Sequence, residues 1–398
     1  MTARVRGVIL AALAAPAAAH AETAEPEPAA AAPAPAVPPA ERAPVPDTPP
    51  RPPPEPQVPP TGFAWQPFGY LRMQYIAVQN DPNVAFVGRD DGFELQSARV
   101  GARGQLGTAM AFVISIDGAV DERTLVNSPQ GKLAVGLRDA YVDTSLSGPI
   151  VVRTGYFQCW LDPQAQIPDT AREFVDYPIE TRGMRATEGW QTPGLPPGRS
   201  IGAAIRLDPA VPSDGARVGF ELAAQNGADE FSSNNDNDML ALSAAGIVRF
   251  PHDGWLVAAG RWNPRTVGDL PFRQDETDLQ GSLGAHVAAG PLSLGAAVIL
   301  QHTTFETTGA PSQDAYGGHA QLMIRLPTES PLAVGYRIGV LDPSNRIVTD
   351  RVIEHTAGAV LGMPALRMRL QLQLVHVVEQ AARDLDNDRV QLGVEVVL

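Results

Sequence analysis

Chemistry needs side chains brought together, and in this chain the candidates are spread thin. His252, His286, His302, His319, His355 and His376 fall in separate segments, with no serine or aspartate at a repeating distance from them. A hydrolase built on Ser–His or Asp–His groups requires such a constellation, so the pattern predicts no catalytic residue and no enzyme activity. Cys159 is the single cysteine. It excludes a disulfide framework and any multi-cysteine metal site, and it reads as an inert thiol at a strand end. Asn234–Asp238 and Asp384–Asp388 are acidic but lack the oxygen-ligand register of a calcium loop, so they read as solvated loop charge. The expectation is no metal and no cofactor.

Arginine is what recurs, and it recurs at alternate positions. Between Ala365 and Val375, Leu366, Met368, Leu370, Leu372 and Leu374 alternate with Arg367, Arg369, Gln371 and Gln373. The last segment repeats the pattern, with Val390, Leu392, Val394, Val396 and Leu398 against Arg389, Gln391, Gly393 and Glu395. Successive side chains of a strand point to opposite faces, so one face is apolar and the other carries guanidinium and amide groups. Placing Val218, Phe220 and Leu222 toward lipid puts Arg217, Glu221 and Gln225 on the opposite face. The same parity turns Arg99, Arg103, Arg206, Arg249, Arg261, Arg325, Arg337, Arg367, Arg369 and Arg389 inward. The inward acids are fewer: Asp117, Glu221, Glu354 and Glu395. A guanidinium facing lipid at mid-depth costs about 2–4 kcal/mol, which favours the inward assignment. A lumen lined this way attracts anions; the plainer alternative is that each arginine pairs with a carboxylate and keeps the lumen wet. In 134–145, Arg138, Asp139 and Asp143 leave the parity undecided.

These residues must be positioned by strands. Period-two alternation predicts sixteen, near 68–78, 93–106, 110–118, 134–145, 149–159, 199–207, 216–225 and 239–250, then 254–263, 277–289, 291–304, 314–326, 331–341, 350–363, 365–379 and 387–398. Their connections alternate long and short, giving eight long loops and seven short turns with both termini on the short-turn side. That layout predicts an all-β, transmembrane, antiparallel up-and-down β-barrel. Among the long loops, 160–198 stands apart. A connection of this length in a compact structure is functional or disordered. Folded into the lumen, it would place Asp162, Asp169, Arg172, Glu173, Asp176, Glu180, Arg182, Arg185 and Glu188 at a constriction; an external flap is the alternative.

Residues 1–21 read as a secretory signal peptide, with Arg4 and Arg6 before an apolar stretch and Ala19-His20-Ala21 at the cleavage site. No cysteine follows, so no lipid anchor is expected. Sixteen of the 38 prolines lie in residues 22–60. That segment has nothing apolar to bury and predicts a disordered or polyproline II periplasmic linker, leaving 61–398 as the barrel. The formal net charge of −14 and the single lysine, Lys132, argue against nucleic-acid binding, which needs a clustered basic surface. Part of the acid sits in outer loops, at Asp229, Glu230, Asp236, Asp238, Asp384, Asp386 and Asp388. The mouth is therefore expected to be acidic and the mid-barrel basic.

Four patterns, in order along 65–398, carry a resemblance to a known family. They are Arg138-Asp139-Ala140-Tyr141-Val142-Asp143, Val152-Arg153-Thr154-Gly155-Tyr156-Phe157, Pro197-Gly198-Arg199-Ser200-Ile201-Gly202 and Gln225-Asn226-Gly227-Ala228. Together they resemble the phosphate-selective porin O and P family of Gram-negative outer membranes. The resemblance implies a sixteen-stranded channel, commonly a homotrimer, that passes anions such as phosphate. Three features are the chain's own: a single lysine, Leu398 where an aromatic usually ends the last strand, and the Pro-rich segment. The expected function is a passive porin for small solutes with a modest preference for anions. Its partners would be outer-membrane lipid and lipopolysaccharide, small anions or polar solutes, and the cell wall along the Pro-rich arm. The alternative is a structural barrel, plugged by 160–198, whose arm tethers the envelope.

Overall fold

The computed structural model describes residues 62–398 apart from 89–90, 120–134, 186, 229–233, 269–270, 308, 328–330 and 381–383. All of them fall in the compact unit Pro60–Leu398. The segments expected to be a signal peptide and a linker, together with Lys132, Asp229 and Glu230, lie outside the described residues.

Sixteen strands form one closed antiparallel barrel. In chain order they are β1 (Phe63–Val78), β2 (Gly92–Leu106), β3 (Met110–Asp117), β4 (Gly136–Ser147), β5 (Ile150–Phe157), β6 (Ser200–Leu207), β7 (Arg217–Gln225) and β8 (Ala241–Arg249). The second half comprises β9 (Trp255–Val267), β10 (Gln274–Ala289), β11 (Leu292–Phe305), β12 (Gln313–Arg325), β13 (Leu332–Asp342), β14 (Val352–Met363), β15 (Met368–Glu379) and β16 (Arg389–Val397). Each strand pairs with its chain neighbours, and β1 closes onto β16 from Tyr70↔Val397 to Val78↔Arg389. Closure leaves no unpaired edge, which every membrane-spanning sheet requires.

The alternation explains the two faces. On β15, Leu370 and Leu372 are exposed on the outside while Gln371 and Gln373 are buried inside. Leu222, Leu283, Leu300, Leu322, Leu392 and Val394 continue the outward apolar surface around the ring. A belt of this extent exposed to water would be a large liability, whereas lipid covers it without cost.

Among the described residues, three β-bulges interrupt the parity. The register shifts between Arg72 and Met73 against β2, between Ser115 and Ile116 against β4, and between Ser145 and Ser147 against β5. The second makes Arg138 an extra residue between Leu137 and Asp139. That is why alternation across 134–145 is indecisive: one residue slipped in flips every side chain beyond it. The long and short connections are also less strictly alternating than the sequence suggests. β9 and β10 pair as far as Val267↔Gln274, which shortens the loop between them to 268–273, while 208–216 is a comparatively long turn.

Candidate functional site

The segment 158–199, between β5 and β6, lies inside the barrel. It bonds to strands around the whole ring, which no external flap could do. Trp160 donates its backbone N–H to Glu221 Oε1 on β7 at 2.8 Å, and Arg249 on β8 reaches Gln166 at 3.3 Å. Gln280 on β10 donates to the Leu195 carbonyl at 2.9 Å, and His319 Nδ1 on β12 meets Glu180 Oε1 at 2.5 Å. Arg337 on β13 donates to the Asp176 carbonyl at 3.0 Å, and Arg369 on β15 to the Arg172 carbonyl at 3.0 Å. Asp176 accepts from Gln96 on β2 at 2.8 Å and from Gln391 on β16 at 2.5 Å.

Local sequence dictates this path. Pro163 opens a short 3-10 turn, Pro163–Gln166, capped by Asp162, whose carboxylate accepts from Gln164 N. A single helical turn, Ile179–Arg182, ends at Gly183 with φ 72°, where a Cβ would lie 2.1 Å from the Thr192 carbonyl. Only glycine fits that reversal. The segment is also seated by an apolar cluster: Ile179, Met184 and Leu195 pack on Ile299, Ala315, Leu341, Val352, Val375 and Val377 of the wall. Each buried Ile, Leu, Val or Met side chain here contributes about 1.5–3 kcal/mol.

A cavity of about 980 Å³ lies between the segment and the wall from β2 to β8. Nine arginines line it against five aspartates, so its surface carries more cationic than anionic side chains. Several guanidiniums stand over rings: Arg153 lies 3.6 Å from the Tyr141 centroid, and Arg172 3.9 Å from that of Tyr177. A second cavity, about 950 Å³, lies between residues 190–198 and β9–β15, with Arg261, Asn263, Gln280, Gln301 and Thr303 among its lining.

Most lumen arginines have a carboxylate. Arg99 pairs with Asp139 and, at 3.1 Å, with Asp169; Arg199 reaches Asp139 at 3.0 Å. Arg206 pairs with Glu221, Arg249 with Asp208, and Arg369 with Glu395, which Arg72 also holds. Arg389 and Arg182 share Glu354, and Arg182 also binds Glu188 at 2.6 Å. Arg185 reaches Glu94 at 2.6 Å. Arg261 donates to Gln280, and Arg103 packs over Phe68 at 5.8 Å. Arg325 is exposed at the end of β12, where Glu173 of the segment accepts from Gln321 at 3.2 Å. Asp117 bonds Ser97 at 2.7 Å.

Arg367 alone of the inward set lies off the strands. Strand β15 begins only at Met368, and Arg367 is an exposed left-handed residue with φ 50° in the β14–β15 turn, after the 3-10 turn Pro364–Leu366. Pro364 breaks the ladder there, so alternation extrapolated back to Ala365 misplaces it.

Burial governs the charges carried by the segment. It pushes the Asp162 carboxyl up to about 7, with Glu180 adding to the rise and the Gln164 amide and Arg199 opposing it. For Asp169 burial acts the same way, but Arg138, the Tyr177 hydroxyl, Arg72 and Arg99 outweigh it and hold the carboxyl well below the usual range. Glu188 is likewise held low, because Arg182, Arg389 and Arg185 outweigh burial.

Arg72, Tyr70, Tyr177, Arg138 and Arg199 belong to the same network and stand outside the inward set that parity assigned. Arg72 was legible, since Leu71, Met73 and Tyr75 alternate with Tyr70, Arg72 and Gln74. Arg138 was hidden by the bulge. Among the histidines, His286 Nε2 lies 2.9 Å from Ser293 Oγ, and Glu173 also bonds that hydroxyl. A carboxylate there opposes the developing negative charge that hydrolysis must stabilise.

No family model and no curated protein matches the chain. Solved structures do. The outer membrane channel DcaP of Acinetobacter baumannii aligns with a TM-score of 0.57 at 12% identity, covering 85% of this chain and 98% of that one. An anion-selective porin from Comamonas acidovorans gives 0.54 at 15% identity, covering 84% and 100%. OmpT of Vibrio cholerae, an outer membrane protein in trimer form, gives 0.56 at 10% identity, covering 85% and 100%. At these identities the likeness is one of architecture: the chain has the closed sixteen-strand fold of outer-membrane porins.

Proposed function

We propose that this protein is a porin of a Gram-negative outer membrane, a passive channel for small solutes with a modest preference for anions. The observation that carries the reading is the arginine-lined cavity between the in-folded segment 158–199 and the wall from β2 to β8. The lumen arginines Arg99, Arg103, Arg206, Arg249, Arg261, Arg325, Arg337, Arg369 and Arg389 would line the path, with Asp117 and Glu221 among their counter-charges. Asp162, Asp169, Arg172, Glu173, Asp176, Glu180, Arg182 and Arg185 would form the constriction. Guanidinium stays protonated at any working pH, so the field is permanent. The outward apolar belt supports a membrane location, and the anion-selective porin of like fold supports the ion preference. Phosphate as the particular anion rests on the family resemblance alone. The trimer form of OmpT supports a homotrimer, and the N-terminal arm would sit in the periplasm.

Swelling of liposomes carrying the purified protein tests the channel. Small sugars and small anions should both enter, the anions faster than cations of equal size. Liposomes that admit neither would instead favour a barrel plugged by 158–199.

A further inference from the structure

Asp169 sits in surroundings out of proportion to a loop residue. Its carboxylate accepts from the Tyr70 hydroxyl at 2.8 Å, the Tyr177 hydroxyl at 2.5 Å and Arg99 Nη1 at 3.1 Å. Arg172 Nε stands 3.9 Å away, Arg138 contributes its charge, and Arg72 Nη2 donates to the Asp169 backbone carbonyl at 2.5 Å. Two phenols and Arg99 thus bond the carboxylate itself, with the charges of Arg72, Arg138 and Arg172 gathered around the turn that carries it. The partition between elements matters as much as the number. Tyr70 and Arg72 lie on β1, Arg99 on β2 and Arg138 on β4, all in the hydrogen-bonded wall. The acceptor is carried on a three-residue 3-10 turn, Asp169–Ala171, that follows Pro168. Most of the donors are therefore fixed independently of the group they bind, as in a preformed ligand site. An aspartate side chain is chemically an acetate on a tether.

We propose that the nest formed by Tyr70, Arg72, Arg99, Arg138, Arg172 and Tyr177 is a binding site for small carboxylates, and that the in-folded segment occupies it with Asp169 as an internal copy of the ligand. A tethered occupant acts at an effective concentration in the millimolar range or above. A free monocarboxylate at lower concentration is then largely excluded, and the cationic cluster does not trap each passing anion. A solute that displaces Asp169 must move the turn 169–171, which couples binding to the width of the cavity. The solute's role rests on the channel reading; the binding does not.

Saturation-transfer NMR on the acetate methyl group, with the full chain in detergent, reads the site directly. Asp169→Gly removes the tethered ligand and leaves room for acetate, which should bind about ten-fold tighter than to the unaltered protein. Adding Arg99→Gln to that variant should weaken acetate about five-fold or more, because a charge-assisted donor is lost. Equal acetate affinity with and without Asp169, or binding to Asp169→Gly that ignores Arg99→Gln, overturns the proposal. Asp169→Asn keeps the segment's shape should the glycine variant fail to assemble, and in a protein that conducts should raise chloride permeability about two-fold; unchanged permeability in a conducting protein also overturns the proposal. Acetate binding to Asp169→Gly in a protein that conducts nothing upholds the site and removes the channel reading instead.

Discussion

At Asp162 the favourable contacts lose to burial. The Gln164 amide and the Arg199 guanidinium both favour the carboxylate, yet burial pushes the carboxyl up to about 7, with Glu180 acting the same way. The unfolded chain gives up this proton near the ordinary carboxylate value, so from about pH 4 to 7 the folded state holds a proton that the unfolded state lacks. Stability then falls as pH rises through that window and levels off above it. Glu180, which His319 meets, and Arg199 are the neighbouring ionisable groups at this corner. Hydrogen exchange should show residues 160–182 opening about ten-fold more readily at pH 8 than at pH 5.5, after correction for intrinsic rates. Asp162→Asn should abolish the difference; a difference that persists would place the titrating group elsewhere.

Arginines make the second residue-scale prediction. Arg99 serves both Asp139 and Asp169, so Arg99→Ala removes one positive charge and leaves two carboxylates short of a partner. Combined with Arg103→Ala it should lower the anion-to-cation permeability ratio about two-fold or more. Arg369→Ala should act in the same direction through Glu395. Arg367→Ala, exposed in its turn, should leave the ratio unchanged and serves as the control. Bilayer reversal potentials of the four proteins check this ordering.

Among the elements, the strands were the legible part, because period-two alternation is a strong signal wherever one face meets lipid and the other water. β11, read at 291–304, runs Leu292–Phe305, and β13, read at 331–341, runs Leu332–Asp342. What alternation does not carry is an added residue or a covering segment. Arg138 is extra in its strand, and Arg367 follows a proline that ends the ladder. Val375 and Val377 break the polar-inside rule because the in-folded segment covers them with Ile179 and Met184. The sequence shows where such apolar wall residues lie but not what they meet. Gly358 is a case in point: a Cβ there would lie 2.9 Å from the Phe174 ring. Gly358→Leu should therefore lift the segment from β14, seen as faster proteolysis within 165–182, with the barrel itself still heat-modifiable on gels. Unchanged proteolysis would mean the ring is not what seats the segment.

For the whole molecule, closure, an apolar exterior and a polar, arginine-bearing interior belong together. The strands bury their polar backbone in the ring, offer apolar side chains outward, and turn polar side chains, arginine prominent among them, toward the interior. The composition of residues 22–60, with sixteen prolines, is poor in the large apolar side chains and backbone donors that this scheme uses. A chain beginning near Thr61, exported by a standard signal, should fold and insert as well as the full one; failure to assemble would show that the arm takes part in the barrel. The central claim is that the in-folded segment leaves an open path whose field favours anions. The zero-current potential of the purified protein in a planar bilayer, across a gradient of potassium chloride, tests it most directly. At about 0.1 M salt, screening beyond roughly 10 Å limits the influence of the acidic outer loops on the lumen. A stable current with a zero-current potential on the chloride side is the expected result. No current would contradict the open path, and a potential on the potassium side would show that the acidic loops and the carboxylates of 158–199, rather than the arginines, set the field.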